Sequence, residues 1–289
     1  MNRGVAYATL AYVAWGLFPL YFRELANVGA FEIVLHRIVW SLVFLASILA
    51  VKRHWHWLGS VWRKPAVLAI FTASALLLAT NWTVYVWAVT NGRVIDASLG
   101  YFINPLVNVA LGYFVLHERP GAWQWVAVAL AALGVAWLAA LGPNVPWVGL
   151  AIAISFGLYG LMRKTAPLGA LEGLTLETLL LAPPAVAVIA WWSWQGSGGV
   201  MQLDAATLAW LVGVGPLTAV PLLLFAGGAR RIPLATLGLL QYVSPSIQLL
   251  LGLWVFHEPL SGARLAGFSL IWLALAVFSL ESWLRARRR

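Results

Sequence analysis

Ten apolar segments follow one another along this chain of 289 residues, each close to the length that crosses a bilayer as a helix. A helix needs about 20 apolar residues to span the hydrocarbon core. Apolar side chains make up 62% of the sequence and charged ones only 9%, against about 25% charged in ordinary soluble domains. We therefore expect an all-α polytopic membrane protein, with ten spans at 4–22, 33–51, 66–89, 94–116, 122–141, 146–162, 173–193, 206–228, 233–256 and 264–284.

The positive charges give these spans an orientation. The chain has 18 Lys and Arg against 9 Asp and Glu. If the first residues are cytoplasmic, fourteen of the cations fall on the cytoplasmic side and only Arg23, Arg93 and Arg264 on the other. Cytoplasmic loops are enriched in Lys and Arg, so both termini are predicted to be cytoplasmic. The net charge of +9 then marks one side of a membrane, and no nucleic-acid partner is expected.

The second half of the sequence repeats features of the first at an offset of 140 residues. The segment 103–118 carries Ile-Asn-Pro, a later glycine and His-Glu, and 243–258 carries Val-Ser-Pro, a glycine and His-Glu at matching positions. Each unit, 1–142 and 143–289, holds five spans, so the second unit enters the membrane upside down. Such inverted repeats are typical of secondary transporters, which bind substrate near the midplane between the repeats.

Polar residues inside the spans are the candidates for a substrate pathway, because polar groups in hydrocarbon are costly and face an interior or a cavity. Tyr101, Asn104 and Asn108 lie on one face of span four, and the positions 140 residues later form a similar face in span nine. Hydrogen bonding between helices is the alternative role for any one amide. The predicted pathway residues are Trp15, Asn81, Trp82, Tyr85, Tyr101, Asn104, Asn108, Tyr159, Thr218, Phe225, Gln241, Tyr242, Ser244 and Gln248.

Two ionisable residues near the outer end of span two, His36 and Arg37, are candidates for gating or coupling. Arg37 is predicted to bind or screen an anionic group, or to hold an outer gate with Glu32 or Asp96. The alternative is that its side chain extends to the lipid headgroups.

Glu177 occupies the position equivalent to Arg37 in the second unit and completes the gating and coupling candidates. Because the unit is inverted, Glu177 is expected towards the inner side, near Arg163 or Arg230, and not paired with Arg37. A proton-coupled exporter generally needs a titratable group within the membrane. Glu177 and His36 are the candidates for that role, and the sequence leaves open whether transport is coupled to protons.

Two His-Glu pairs, His117–Glu118 and His257–Glu258, resemble metal or catalytic dyads at first sight. No second His follows at the spacing of zinc proteases, and each pair closes a span beside a Pro or Gly turn. Helix termination is therefore the expected role. With no cysteine and scattered acids, the sequence predicts no metal, no cofactor, no catalytic residue and no enzyme activity.

Several stretches carry a family resemblance: His36–Ser41, Asn81–Val89, Ala97–Leu106, Tyr159–Lys164, Thr175–Glu177 and Leu237–Tyr242. In these stretches, and over essentially its whole length, the chain resembles the RarD group of EamA-type transporters in the drug/metabolite transporter superfamily. The resemblance implies ten helices in inverted five-helix repeats, a bacterial inner membrane and a permease role. Pro120 departs from the Leu expected after the Glu-Arg pair, in a predicted loop.

The function predicted from these features is secondary transport, the export of small organic metabolites or drugs by alternating access between the two repeats. Proton exchange or the solute gradient would drive it. Passive facilitation of a small solute is an alternative, and a membrane interaction subunit without transport would leave the inward polar faces unexplained. The expected partners are a small-molecule substrate and the lipid bilayer, with the chain a monomer or a homodimer.

Overall fold

The computed structural model describes residues 3–90, 94–141, 147–195, 204–255 and 261–287, and every regular element in these ranges is helical. In chain order the helices are α1 (Arg3–Phe22), α2 (Ala30–Val51), α3 (His56–Val61), α4 (Pro65–Thr90), α5 (Val94–Phe114), α6 (Ala122–Ala140), α7 (Trp147–Thr165), α8 (Ala170–Gln195), α9 (Ala205–Ala229), α10 (Leu234–Gln241), α11 (Val243–Trp254) and α12 (Gly262–Arg287). The predicted all-α fold class is confirmed.

Seven helical stretches in the described residues are long and apolar enough to cross a membrane. They are Arg3–Leu25, Ala30–Val51, Pro65–Tyr85, Ala122–Ala140, Ala170–Gln195, Ala205–Ala229 and Leu234–Leu251. The other three predicted spans are also helical, as α5, α7 and α12, and α12 holds a shorter apolar stretch, Leu265–Glu281. The helix ends lie within three residues of the predicted ends.

Span nine differs from the prediction because it is two helices, α10 and α11, which meet at Tyr242. Pro245 has no N–H and its ring clashes with the carbonyl four residues earlier, here that of Gln241 at the end of α10. The Tyr242 N–H donates instead to the Leu239 carbonyl oxygen at 3.4 Å. A second difference is the short helix α3, which the apolar pattern did not predict.

Each major contact between two helices has a counterpart between the equivalent helices of the other half. The contact of α1 with α9 corresponds to that of α7 with α4, and the contact of α2 with α9 corresponds to that of α8 with α4. The contact of α5 with α7 corresponds to those of α10 and α11 with α1. The contacts α2–α8, α5–α10 and α6–α12 join equivalent helices of the two halves. Two five-helix units related by inversion pack in this way. The predicted boundary between the units lies at residues 142 and 143, outside the described residues.

Two glycines at equivalent positions lie in close contact with the neighbouring helix. A Cβ added to Gly16 in α1 would lie 2.8 Å from Ile247 Cβ in α11. A Cβ added to Gly157 in α7 would lie 2.6 Å from Val107 Cγ1 in α5. Both glycines therefore allow equivalent helix pairs to approach closely.

The two ends of the bundle differ in charge. We name the end where α1 begins and α2 finishes the basic end, since it carries Lys52, Arg53, Arg163, Lys164, Arg230 and Arg231. The opposite end, where α1 finishes and α2 begins, is named the cavity end. At the cavity end the Tyr21 hydroxyl of α1 donates to the Trp210 carbonyl of α9 at 2.6 Å, so the two helices run antiparallel.

Candidate functional site

A cavity of about 260 Å³ lies between the two halves of the chain. Its walls come from α1, α2, α4, α5, α7, α9, α10 and α11. The residues that line it are Tyr12, Trp15, Phe18, Pro19, Phe22, Arg37, Asn81, Trp82, Tyr85, Tyr101, Phe156, Leu222, Gln241, Ser244, Pro245 and Gln248. Arg37 is the one ionised side chain in this set, and most of the others are aromatic or carry an amide or hydroxyl.

The structure brings together nine of the candidate residues at this cavity: Trp15, Arg37, Asn81, Trp82, Tyr85, Tyr101, Gln241, Ser244 and Gln248. Eight candidates do not line it: His36, Asn104, Asn108, Tyr159, Glu177, Thr218, Phe225 and Tyr242. Sequence reasoning missed several apolar wall residues, because an aromatic ring in a span looks the same whether it faces lipid or a cavity. Phe156 could have been found, since it stands at the position equivalent to Trp15.

Arg37 is held in the cavity wall by contacts on two sides. Its Nε donates to Thr218 Oγ1 at 3.1 Å. Its guanidinium carbon lies 4.5 Å from the centre of the Trp82 ring and 5.9 Å from that of Phe22. Cation–π contacts of this length stabilise a desolvated cation. The side chain therefore faces the cavity and does not extend to the headgroups.

The two acids considered as partners of Arg37 do not appear among these contacts. The described hydrogen bond and ring contacts of Arg37 are those to Thr218, Trp82 and Phe22. The Tyr85 and Tyr101 side chains also lie close enough to interact with its charge. The side chain of Asp96 lies outside the described residues. The outer-gate hypothesis stays a prediction.

His36 lies behind the cavity wall. The residue is buried, and Trp40 Nε1 donates to its Nδ1 at 3.1 Å. Its Nε2 has no hydrogen-bond partner within the described part of the chain.

The polar face of α5 is used for packing between helices. Asn104 Nδ2 donates to the Ala153 carbonyl of α7 at 2.7 Å. Asn108 Nδ2 donates to Asn104 Oδ1 at 3.0 Å and to Gln241 Oε1 at 3.4 Å. Both asparagines are buried. In this conformation they connect α5 to α7 and to α10.

Two amides line the cavity and also hold helices together. Asn81 Nδ2 donates to the Ile152 carbonyl at 2.9 Å. Gln248 Nε2 donates to the Trp15 carbonyl at 3.1 Å. That carbonyl has lost its intrahelical donor, because Pro19 stands four residues later. The proline in α1 thus creates the acceptor that Gln248 of α11 uses.

A layer of aromatic rings in mutual contact, named the aromatic floor, separates the cavity from the basic end. It consists of Tyr12, Trp15, Phe156, Tyr159 and Phe225. The Phe225 ring lies 5.2 Å from Phe156, 5.6 Å from Trp15 and 6.1 Å from Tyr159, centre to centre. Tyr159 and Phe225 were predicted to line the pathway, and both are fully buried in this floor.

Tyr242, at the junction of α10 and α11, is also fully buried. Its hydroxyl donates to the Phe102 carbonyl of α5 at 3.1 Å. The ring packs with Phe102, Ile271 and Phe268 in a cluster outside the cavity. Its described contacts are therefore structural ones.

Glu177 lies on the basic-end side of the floor, as predicted, with Arg163 as its partner. Arg163 Nη1 is 3.5 Å from Glu177 Oε1, and both side chains are buried. Glu177 also accepts from Ser74 Oγ at 2.5 Å and from the Tyr159 hydroxyl at 3.4 Å. A buried ion pair needs such additional hydrogen bonds to offset its desolvation. The group is named the Glu177 cluster: Ser74, Tyr159, Arg163 and Glu177.

Glu118 has a role that sequence reasoning missed. The predicted helix end is present, since the Glu118 N–H donates back to the Gly112 carbonyl at 2.9 Å. The Glu118 carboxylate then accepts from the N–H groups of Leu234 at 3.0 Å and Ala235 at 3.3 Å, at the start of α10. Lys164 Nζ lies 3.4 Å from the same carboxylate. The equivalent pair His257–Glu258 lies outside the described residues.

Two cations at the basic end, Lys164 and Arg230, donate hydrogen bonds to backbone carbonyls of neighbouring segments. Lys164 Nζ donates to the carbonyls of Ala229 and Ile232, the latter at 2.5 Å. Arg230 Nη1 donates to the carbonyls of Ala166 and Leu168, both at 2.8 Å. These bonds join the turn after α7 to the turn after α9. The basic end is thus tied together by side chains from α7 and from the segments that follow α5 and α9.

Two matched halves around a central cavity are an arrangement typical of polytopic membrane transporters built from inverted repeats. The EamA-like transporter family matches residues 2–140. An uncharacterised transporter of Pseudomonas aeruginosa is 46% identical over 100% of this chain and 97% of its own. Protein RarD of Streptomyces exfoliatus is 42% identical over 99% and 90%. A solved crystal structure superposes with a TM-score of 0.72 at 19% identity, covering 96% of this chain and 98% of that chain.

The chain belongs to the EamA-like transporter family. Its similarity to RarD proteins over almost their whole length confirms the resemblance drawn from the sequence motifs. The names of the family and of these relatives indicate a transporter rather than an enzyme.

Proposed function

We propose that this protein is a secondary active permease that exports small organic metabolites or drugs across the inner membrane of a bacterium. It works by alternating access between the two five-helix units, 1–142 and 143–289. The observation that carries the proposal is the cavity of about 260 Å³ walled by both halves. A site at the interface of inverted repeats is where secondary transporters bind substrate.

The orientation follows from the charges. Lys and Arg concentrate on the cytoplasmic side of membrane proteins, so the basic end faces the cytoplasm and both termini are cytoplasmic. The cavity then lies towards the outside, and the aromatic floor and the Glu177 cluster separate it from the cytoplasm. This arrangement corresponds to an outward-facing state.

The matched helix contacts support the existence of a second, inward-facing state. In the inward-facing state the two halves exchange roles: α1 and α11 close over the cavity, and the equivalent α7 and α5 separate. Asn104 and Asn108, which now bond α5 to its neighbours, then line the inward cavity. Their predicted pathway role belongs to that state.

Glu177 is the proposed coupling group. Its carboxylate holds Arg163, Ser74 and Tyr159 at the closed side of the cavity. A proton on Glu177 removes the charge that pairs with Arg163, which weakens the closure and favours opening towards the cytoplasm. If the measured flux does not change with a pH gradient, coupling through Glu177 is excluded and passive facilitation is the remaining mechanism.

The experiment uses the absence of cysteine from the chain. Ser244→Cys places one thiol in the cavity wall, and Ser74→Cys places one in the Glu177 cluster. In whole cells, a membrane-impermeant thiol reagent should label Ser244→Cys from outside and spare Ser74→Cys. In inside-out vesicles, Ser74→Cys should become reactive when the basic end opens.

The matched pair distinguishes alternating access from a static cavity. Ser74→Cys that stays unreactive from both sides at every pH tested, beside a reactive Ser244→Cys, would contradict alternating access. Equal labelling of both thiols from one side would indicate an open pore and would contradict it too.

A further inference from the structure

We propose that the cavity binds a small organic monoanion, a single carboxylate attached to a body about the size of one aromatic ring, with Arg37 as the group that recognises the carboxylate. This inference rests on the proposed transport function and names its substrate class. Four observations carry it: the charge of the cavity, the position of the Arg37 guanidinium, the walls and the volume.

The charge of the cavity is positive. Among its described lining residues, Arg37 is the one ionised side chain. A charge within the membrane is costly and usually marks a substrate pathway or a pair. The cation–π contacts with Trp82 and Phe22 offset part of this cost. An anionic ligand offsets more of it, whereas a cationic ligand adds repulsion in a medium of low dielectric constant.

The guanidinium is oriented for two-point binding. Its Nε is committed to Thr218 at 3.1 Å, and one face lies against the Trp82 ring. In the described part of the chain the two terminal nitrogens have no such partner. A planar guanidinium with free terminal N–H groups binds a carboxylate through two parallel hydrogen bonds. The Nε bond and the ring contact fix the plane in which the carboxylate sits.

The rest of the wall fits an apolar body. Trp15, Phe156 and the edge-to-face pair Tyr85–Tyr101, 5.9 Å between ring centres, surround the space. Such rings favour another ring in offset or edge contact. The Ser244 hydroxyl and the Gln241 Nε2 group are available for neutral polar groups, while Gln241 Oε1 accepts from Asn108.

The volume indicates the size of the body that fits within the walls. A cavity of about 150 Å³ holds benzene. The cavity between the repeats, at about 260 Å³, therefore holds one ring together with a short carboxylate-bearing arm.

The test measures binding of three probes of nearly the same shape to the purified full-length chain in lipid nanodiscs by calorimetry. Phenylacetate is the anion, phenylacetamide the neutral match and phenethylammonium the cation. We expect phenylacetate to bind more tightly than the amide by about tenfold or more, the lower range for a charge-assisted hydrogen bond. The cation should bind most weakly.

The variants assign the effect to Arg37. Arg37→Gln should weaken phenylacetate binding by about tenfold or more and leave the binding of phenylacetamide unchanged. The affinity of Arg37→Lys for phenylacetate should lie between those of wild type and Arg37→Gln, because lysine keeps the charge but lacks the planar guanidinium. Arg119→Gln, an exposed arginine outside the cavity, is the control and should change neither. Thermal unfolding of each variant checks that it is folded.

Several results would overturn the inference. They are an amide that binds as tightly as the acid, an Arg37→Gln variant that loses both probes equally, a cation that binds best, or no binding of any probe. None of these touches the proposed transport function, because labelling of Ser244→Cys and Ser74→Cys tests that function without any ligand.

Discussion

Arg37 and Glu177 occupy equivalent positions in the two halves of the chain, yet their surroundings differ. Arg37 lines the cavity, held by Thr218 and Trp82. Glu177 is fully buried at the opposite side of the floor and paired with Arg163. Equivalent positions in α2 and α8 thus carry opposite charges, one at the cavity wall and one in a buried ion pair. The two repeats therefore share a pattern of helix contacts but differ in the charge and the partners of this side chain.

The polar faces of α5 and of α10–α11 show the same contrast. Asn104 and Asn108 are buried between helices, whereas Ser244 and Gln248, their equivalents, line the cavity. α5 continues through its internal proline, whereas the equivalent span breaks into two helices. The polar face of α5 is therefore packed against its neighbours, whereas the equivalent face of α11 borders the cavity. This asymmetry is the one that the proposed alternating access requires in a single state.

The largest expected effect comes from breaking the buried pair. Glu177→Leu leaves the Arg163 charge buried without its carboxylate, and we expect the free energy of unfolding to fall by about 3–5 kcal/mol. Arg37→Leu, at the equivalent position, should cost less, about 2 kcal/mol, because it removes a desolvated cation–π contact and leaves no buried charge without its partner. Tryptophan fluorescence during denaturation in mixed micelles measures both changes.

A double variant is the control for this prediction. Arg163→Leu combined with Glu177→Leu removes both charges, and it should recover most of the lost stability, since an apolar replacement of a buried pair is often neutral. The contrast between the two positions would fail if Arg37→Leu were as costly as Glu177→Leu.

The next effect tests whether the two halves pack alike. Gly16→Ala and Gly157→Ala each force a Cβ to within 3 Å of the facing helix, against Ile247 and Val107. Each should lower the free energy of unfolding by about 1–3 kcal/mol, the usual range for overpacking. The same denaturation assay measures it.

Gly59 in α3 is the matched control, because a Cβ added there meets nothing within 4 Å. Gly59→Ala should stabilise the protein slightly, since Ala is the better helix residue by about 0.5–1 kcal/mol. If one of the two packing variants proved neutral, the equivalence of the α1–α11 and α5–α7 contacts would be lost.

Periodicity and the 140-residue offset predicted much of this molecule. They located the ends of the spanning helices to within three residues and selected Arg37 and Gln241 as candidate residues, and both of these line the cavity. They could not predict the break at Tyr242, because the equivalent proline in α5 leaves a continuous helix. The surrounding contacts decide whether a proline breaks a helix.

The remaining gaps concern which neighbour a side chain meets. A polar face at helical spacing does not tell whether Asn104 bonds to α7 or faces a cavity. An aromatic residue such as Phe18 carries no sign that it faces a cavity rather than lipid. The cap that Glu118 provides to α10 joins residues 116 positions apart, and no local pattern encodes that contact.

The capping of α10 by Glu118 gives a smaller effect at the basic end. Glu118→Gln removes the charge that faces the first N–H groups of α10 and Lys164. We expect a loss of about 1 kcal/mol in unfolding free energy, typical of a helix cap. Glu172→Gln, which disturbs a partly exposed pair with His54, is the control and should cost less. Equal losses in the two variants would argue against a capping role.

The smallest effect concerns the local cap at the other end of the molecule. Asp204 precedes α9 and accepts from the Thr207 N–H at 2.5 Å, and this backbone bond lowers the pKa of the Asp204 carboxyl below its ordinary value. Because the folded pKa is the lower one, the stabilisation is present above about pH 4 and is lost as the pH falls through the folded pKa. Asp204→Asn keeps a capping oxygen but cannot titrate. Wild type should therefore melt at a higher temperature than Asp204→Asn at pH 7, and the difference should shrink towards pH 3. A difference that is independent of pH would show that the carboxylate charge adds nothing to this cap.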